Sequence, residues 1–271
     1  MIFKSDTGIT TYYEEYGDKL KSSLLLLHGI GADNNMWNMQ KELYEKKGFH
    51  LIIPDLLAHG KSSKVKTLSL DDWSNQIEEL IDYLKVRKVT LIGVSMGGVI
   101  AQHFITSRPE RVERLIISDS FGELKSLSEK MLGFSQIVGF KLFKLLGNKM
   151  LAKGMASTYK ANHAILAKEY FSNVCMDIDL NQMVIARKAI NKINILEKLK
   201  KVNIPRMVLV GRDFGKSFIR INNKIAKSLG VELVVIDNSM DPSNLVNPDK
   251  FNNLVLEFLC QTKVQLDDND K

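Results

Sequence analysis

Ser95 is the residue of this chain best set up to do chemistry. The run Val89-Thr90-Leu91-Ile92-Gly93-Val94-Ser95-Met96-Gly97-Gly98 reads as a strand that turns into a helix around G-x-S-x-G. Such an elbow lifts a serine hydroxyl out of a tight turn, where small neighbours are required. A serine hydroxyl is a weak nucleophile by itself and depends on an adjacent base, usually a histidine held by a carboxylate. The chain has 5 histidines (His28, His50, His59, His103 and His163), and none follows His163. A nucleophile and its cradle are present; the base is in question.

The elements that must position Ser95 read as alternating strands and helices. Residues 9–16, Leu24–Leu27, Phe49–Ile53, Val89–Gly93, Leu115–Ile117, Met207–Val210 and Val231–Ile236 are β-rich or short unbroken apolar runs bounded by turn residues. Such runs predict strands buried on both faces. Between them, Leu70–Leu84 sets Trp73, Ile77, Leu80, Ile81 and Leu84 at helical spacing. A helix continues from the elbow through Gln102–Ser107 and stops before Pro109. Two more helices cover 216–229 and 249–260, the second opened by Asn247 as cap and Pro248 in its first turn. The alternation predicts an α/β fold with a mostly parallel central sheet covered by helices on both faces.

The alternation breaks over residues 121–200, which read as helical throughout, with pieces at Leu124–Leu132, Phe134–Leu146, Asn162–Phe171 and Leu180–Lys201. A stretch that long is no loop and predicts an inserted helical lid. Residues 1–120 and 201–271 then form the core domain. The insertion holds 13 Lys/Arg against 6 Asp/Glu, which accounts for the whole net charge of +7. A solvated lid surface explains that charge most simply; attraction of anionic substrates or an acidic surface is the sharper alternative. Phe134, Ile137, Val138, Phe140, Phe143, Leu145 and Leu146 make one segment apolar enough to roof a pocket. Contact with a membrane surface is a weaker expectation, because Lys141 and Lys144 show no clean segregation to one face.

Composition is that of an ordinary globular chain of 271 residues, 45% hydrophobic and 25% charged. Two cysteines, Cys175 and Cys260, make no disulfide framework. Together with the absence of a signal-like apolar start, this predicts a cytoplasmic protein. No apolar run approaches the ~20 residues of a membrane span. No metal cluster, phosphate-binding glycine loop or nucleic-acid motif is present, so neither a cofactor nor a metal is implied, nor a nucleic-acid partner.

Several motifs in order resemble the α/β-hydrolase superfamily over nearly the full length. His28-Gly29-Ile30-Gly31-Ala32-Asp33, directly after a strand, is similar to that family's oxyanion loop. Pro54-Asp55-Leu56-Leu57-Ala58-His59-Gly60-Lys61-Ser62 resembles the loop after the next strand. The elbow at Gly93–Gly98 and Arg108-Pro109-Glu110-Arg111-Val112 before a strand complete the set. The nearest likeness is to small ester and lactone hydrolases, among them the 3-oxoadipate enol-lactonases.

The resemblance implies that Ser95 is the nucleophile and that the backbone N–H groups of Ile30 and Met96 form the oxyanion hole. Backbone donors do not depend on side-chain identity, so this part should persist. His28 and Gly29 would border the pocket, with His28 supporting the loop rather than acting as base. His59 and His103 are expected to be structural. His163 alone could reach the pocket from the lid. The family's acid follows the strand Met207–Val210, as glycine, two residues, then aspartate. Here Gly211-Arg212-Asp213-Phe214 places Phe214 at that position and Asp213 one residue early. Asp213 or, failing it, Asp119 at the end of the preceding strand would be the acid. The family's histidine stands seven residues before the proline of the last helix. Seven before Pro248 is Asp241.

A carboxyl at that position is a poor base. Its reference pKa is ~3.9 against ~6.5 for histidine, so proton transfer from serine is weakly driven. Two neighbouring carboxylates also repel, which leaves one protonated. Two readings follow. One is a serine-type hydrolase of small carboxylic esters or lactones with weak or lost activity. The other is a pseudo-hydrolase that binds an apolar or anionic ester, lactone or carboxylate without turning it over.

Overall fold

A computed structural model describes the backbone of residues 1–269 and the side chains of residues 1–261. The strands are β1 (Ile2–Lys4), β2 (Thr10–Tyr16), β3 (Ser23–Leu27), β4 (His50–Pro54), β5 (Val89–Val94), β6 (Val112–Ser118), β7 (Arg206–Gly211) and β8 (Leu233–Ile236). They form one 8-stranded sheet in the order β1-β2-β4-β3-β5-β6-β7-β8. From β4 to β8 every neighbouring pair is parallel, and β1 and β2 join antiparallel at one edge. The α/β architecture read from the sequence is therefore the observed one. The short edge strand β1 carried no apolar run and was not expected.

Among the described residues the helices are α1 (Asn38–Lys46), α2 (Leu70–Tyr83), α3 (Met96–Ser107), α4 (Leu127–Leu146), α5 (Asn148–Thr158), α6 (Ile165–Val174), α7 (Leu180–Ile190), α8 (Leu196–Leu199), α9 (Lys216–Leu229), α10 (Ser243–Val246) and α11 (Pro248–Asn269). All five β3 residues are buried. Successive side chains of a strand point to opposite faces, so Leu25 and Leu27 join a core with Trp73, Phe104 and Ile225 from α2, α3 and α9. Leu24 and Leu26 join a second core with Trp37 and with Tyr44 and Phe251 from α1 and α11. One strand thus serves two cores, and the sheet is held from both sides.

Between β6 and β7 the chain runs as α4 to α8, with one isolated bridge, Glu123 to Asn194, as its only β pairing. Two details differ from the sequence expectation. The pieces predicted on either side of Gly133 are one helix, α4, and a Cβ at Gly133 would lie 2.7 Å from Asn191 Oδ1. That glycine admits a close approach to the end of α7 instead of breaking α4. The long helix predicted over 180–201 stops at Ile190, because Ile193–Ile195 turn away to make the bridge with Glu123. α1 was not anticipated, and α5 lies within the stretch read as helical throughout, though it was not among the pieces named there.

Candidate functional site

β5 delivers Ser95 to the start of α3 in an uncommon conformation, with φ +55 and ψ −116. A non-glycine residue there is strained, and the surroundings must enforce it. Ser95 N donates to Ser118 O at 2.9 Å, and Ser120 Oγ donates to Ser95 O at 2.9 Å. The glycines of the elbow exist for closeness. A Cβ at Gly97 would meet Leu27 O at 2.1 Å, and one at Gly93 would meet Gly97 O at 2.3 Å. The loop after β3 closes the other side, since a Cβ at Gly29 would lie 3.3 Å from Ser95 Cβ. Ile30 follows, half-buried, and Met96 opens α3, where the first N–H groups of a helix have no partner within it.

The Ser95 hydroxyl donates to Asp241 Oδ2 at 2.8 Å. Asp241 is the residue that the count back from Pro248 sets at the family's histidine position. Its loop is pinned to the end of β7: a Cβ at Gly211 would lie 2.5 Å from Ser239 O, and Tyr159 Oη donates to Asp241 O at 3.0 Å. Beneath it lies Asp119, fully buried, with φ +53. Asp119 Oδ1 accepts from Gly211 N at 2.8 Å, and Oδ2 accepts from Ser243 N at 2.8 Å and Ser118 Oγ at 2.9 Å.

Burial lifts the Asp241 carboxyl well above the usual carboxylate range, and the charge of Asp119 adds to it. Burial also raises Asp119, against which its backbone and hydroxyl donors act. Those donors favour the ionised form of Asp119, so Asp241 is the member of the pair that holds a proton more readily. The unfolded chain ionises Asp241 near pH ~4, whereas in the folded chain its ionisation is shifted upward. Folding therefore loses stability as pH rises from the unfolded pKa toward the folded one. Asp241→Asn, which cannot ionise, should melt about 3 °C or more above the wild type at pH ~8, and the gap should close near pH ~4. Thermal unfolding followed across pH checks this; a gap independent of pH would contradict the assignment.

None of the histidines has a described bond to Ser95. His28, expected at the pocket border, is wholly buried: its Nδ1 faces Gly29 O at 2.8 Å and its Nε2 accepts from Leu56 N at 3.0 Å. Burial lowers its pKa, and the neutral ring serves as a strut between the two loops. His59 is buried against His28, its pKa pushed down to about 3. His50 bonds Ser23 and Glu15, and His103 bonds Ser74. His163 pairs with Asp213 at 3.3 Å, both side chains being more than a third exposed.

That pair corrects the expectation for Asp213, which does not face Ser95. The 3-10 turn Arg212–Phe214 ties Asp213 N to Ser239 O and turns the side chain out toward the helical insertion. Phe214, at the family's acid position by count, is exposed and packs on Phe218 of α9 at 4.3 Å. The aspartate beside Asp241 is the fallback residue Asp119, which projects from the residue after β6.

Arg187 was missed, because a lone arginine in a basic helix carries no signal in sequence. It is 4% exposed, lies 5.2 Å from the Phe121 ring, and its Nε and Nη2 have no hydrogen-bond partner. Burial pulls its pKa down to about 10, while Asp241 acts in the opposite direction. It stays charged at neutral pH. A separate apolar cavity of about 310 Å³ is bordered by Ile30, Phe140, Phe143, Leu151, Phe171 and Cys175. Among the described residues no group of three or more His, Cys, Asp or Glu is placed to hold a metal.

A family described as the α/β-hydrolase fold matches residues 23–154. Over 108 residues the chain is 35% identical to an uncharacterised protein of Mycobacterium tuberculosis, a match covering 39% of this chain and 31% of that one. The chain thus spans about a third of the length of that relative. The structure is similar to a carboxylesterase from Nitrososphaera gargenis, with TM-score 0.85 and 21% identity over 98% of this chain and 100% of the other. It is likewise similar to the enol-lactonase of Burkholderia xenovorans LB400, with TM-score 0.82 and 18% identity over 96% and 100% of the two chains.

Proposed function

We propose that this chain, whose residues 23–154 match the α/β-hydrolase fold family, is a member of that superfamily whose Ser95 site binds small carboxylic esters, lactones or the corresponding carboxylates and turns over esters and lactones feebly. The observation carrying this reading is the 2.8 Å bond from the Ser95 hydroxyl to Asp241 Oδ2. In this reading Ser95 Oγ is the nucleophile, Ile30 N and Met96 N hold the developing oxyanion, and α4–α8 form a lid. A protonated Asp241 cannot take the serine proton. The ionised fraction can, so residual turnover should rise with pH. The remaining oxyanion donors and binding alone support ~10³–10⁴-fold catalysis over water in serine hydrolases that lose a triad member.

Arg187 favours an anionic ligand. A buried guanidinium whose Nε and Nη2 lack partners is costly unless a counter-charge arrives, and the Asp241 carboxyl, whose charge would favour it, is shifted toward its neutral form. A carboxylate formed by hydrolysis, or one already on the ligand, supplies that charge. The same observation supports the alternative of a binding protein without chemistry.

Hydrolysis of p-nitrophenyl acetate by wild type and Ser95→Ala, with a thermal-shift series of small carboxylates and their methyl esters, tests both readings. Slow release that disappears in Ser95→Ala supports the hydrolase. No Ser95-dependent release but stabilisation by carboxylates supports the binder. Neither effect across both series would remove the proposal. Brisk Ser95-dependent release would show that another base serves the serine.

A further inference from the structure

The outward face of α4 is apolar where a surface helix should be polar. Leu127, Met131, Phe134, Val138, Leu142 and Leu145 are exposed by 79, 56, 58, 46, 50 and 83%. At 3.6 residues per turn they fall within a band of about 80° along ~30 Å of helix. Leu146 and Met150 extend it to the start of α5, both exposed. Scattered exposed leucines mean little, but a continuous stripe marks a contact surface.

The charges around the stripe identify the contact. From residue 130 to residue 158 the chain has five lysines (Lys130, Lys141, Lys144, Lys149 and Lys153) and no aspartate or glutamate. All five are exposed. Contrary to the lack of segregation read from the sequence, Lys130, Lys141 and Lys144 lie along one flank of the band in the continuous helix α4. The acid of α4, Glu129, is buried and held by Lys224 at 2.7 Å, so it does not offset them. An apolar stripe beside a flank of cations of one sign suits the interface of a bilayer carrying anionic headgroups. A second copy of the same face would bring like charges together.

We propose that the α4–α5 face docks on an anionic lipid surface, with the stripe in the headgroup–acyl boundary and the lysines on the phosphates. No helix among the described residues is long and apolar enough to cross a membrane, so the attachment is peripheral. The opposite side of α4 contributes Phe140 and Phe143 to the apolar cavity beside Ile30. Docking would therefore leave α4 standing between the lipid and that cavity. The surface stands apart from the Ser95 chemistry and does not depend on it.

Co-sedimentation of the full chain with vesicles of phosphatidylcholine alone, or with about one third phosphatidylglycerol, tests the docking. The wild type should partition onto the anionic vesicles at least about tenfold more strongly, and ~0.5 M NaCl should weaken it. Val138→Glu with Leu145→Glu, and separately Lys141→Glu with Lys144→Glu, should each lower partitioning about tenfold while melting with the wild type. Should the first pair unfold, the second, at fully solvated positions, decides. Equal partitioning on both vesicle types, or variants that bind like the wild type, would overturn the proposal. So would a concentration-dependent dimer in sedimentation velocity that Val138→Glu with Leu145→Glu dissolves, with no vesicle binding.

Discussion

Asp241→His should raise p-nitrophenyl acetate turnover about 10²-fold or more above the wild type at pH ~8. The nucleophile is seated, its elbow enforced by contacts at Gly93 and Gly97, and its hydroxyl already donates to residue 241. What is missing is a group that accepts that proton near neutral pH. An imidazole with a reference pKa of ~6.5 is such a group, whereas burial and Asp119 shift the present carboxyl toward its neutral form, which accepts no proton. Asp119 is placed to orient the new ring and to stabilise its protonated form, the part a triad carboxylate plays. Adding Ser95→Ala should return the rate to background. A folded Asp241→His protein with no gain, or a gain that survives Ser95→Ala, would show that the 2.8 Å contact does not define the proton path.

Asp119→Ala should cost about 3–5 kcal/mol of stability, a fall of about 10 °C in melting temperature. The substitution strands three donors at once: Gly211 N, Ser243 N and Ser118 Oγ. Two of them belong to the ends of β7 and α10, so the segment bearing Asp241 loses its anchor as well. Asp213→Ala removes only an ion pair with His163 in which both partners are more than a third exposed. Screening by water makes such a pair worth roughly 0–1 kcal/mol. Thermal unfolding of the two variants side by side separates the aspartate built into the site from the one that merely stands near its sequence position. Equal shifts would mean that the two carboxyls have been assigned the wrong way round.

The α/β sheet and the strand-to-helix elbow were legible in the order of residues, and the count back from Pro248 pointed to Asp241. Short unbroken apolar runs such as Leu24–Leu27 suit only strands covered on both faces, and G-x-S-x-G suits only a strand-to-helix turn with backbone pressed against backbone. Asp241 was found because its distance from Pro248 along the chain is a local quantity. Whether Asp119 or Asp213 stands beside Asp241 is not written locally in the chain. They lie 94 positions apart in the chain, and which one meets Asp241 depends on the turn after β7 rotating Asp213 outward toward His163. Arg187 and the α4 stripe share that character. Phe134, Val138 and Phe140 are alike in sequence, yet Phe140 lines a cavity while Phe134 and Val138 face solvent. A helix records its apolar residues locally, but which of its faces is covered depends on neighbours far along the chain, and that information exists only once they pack.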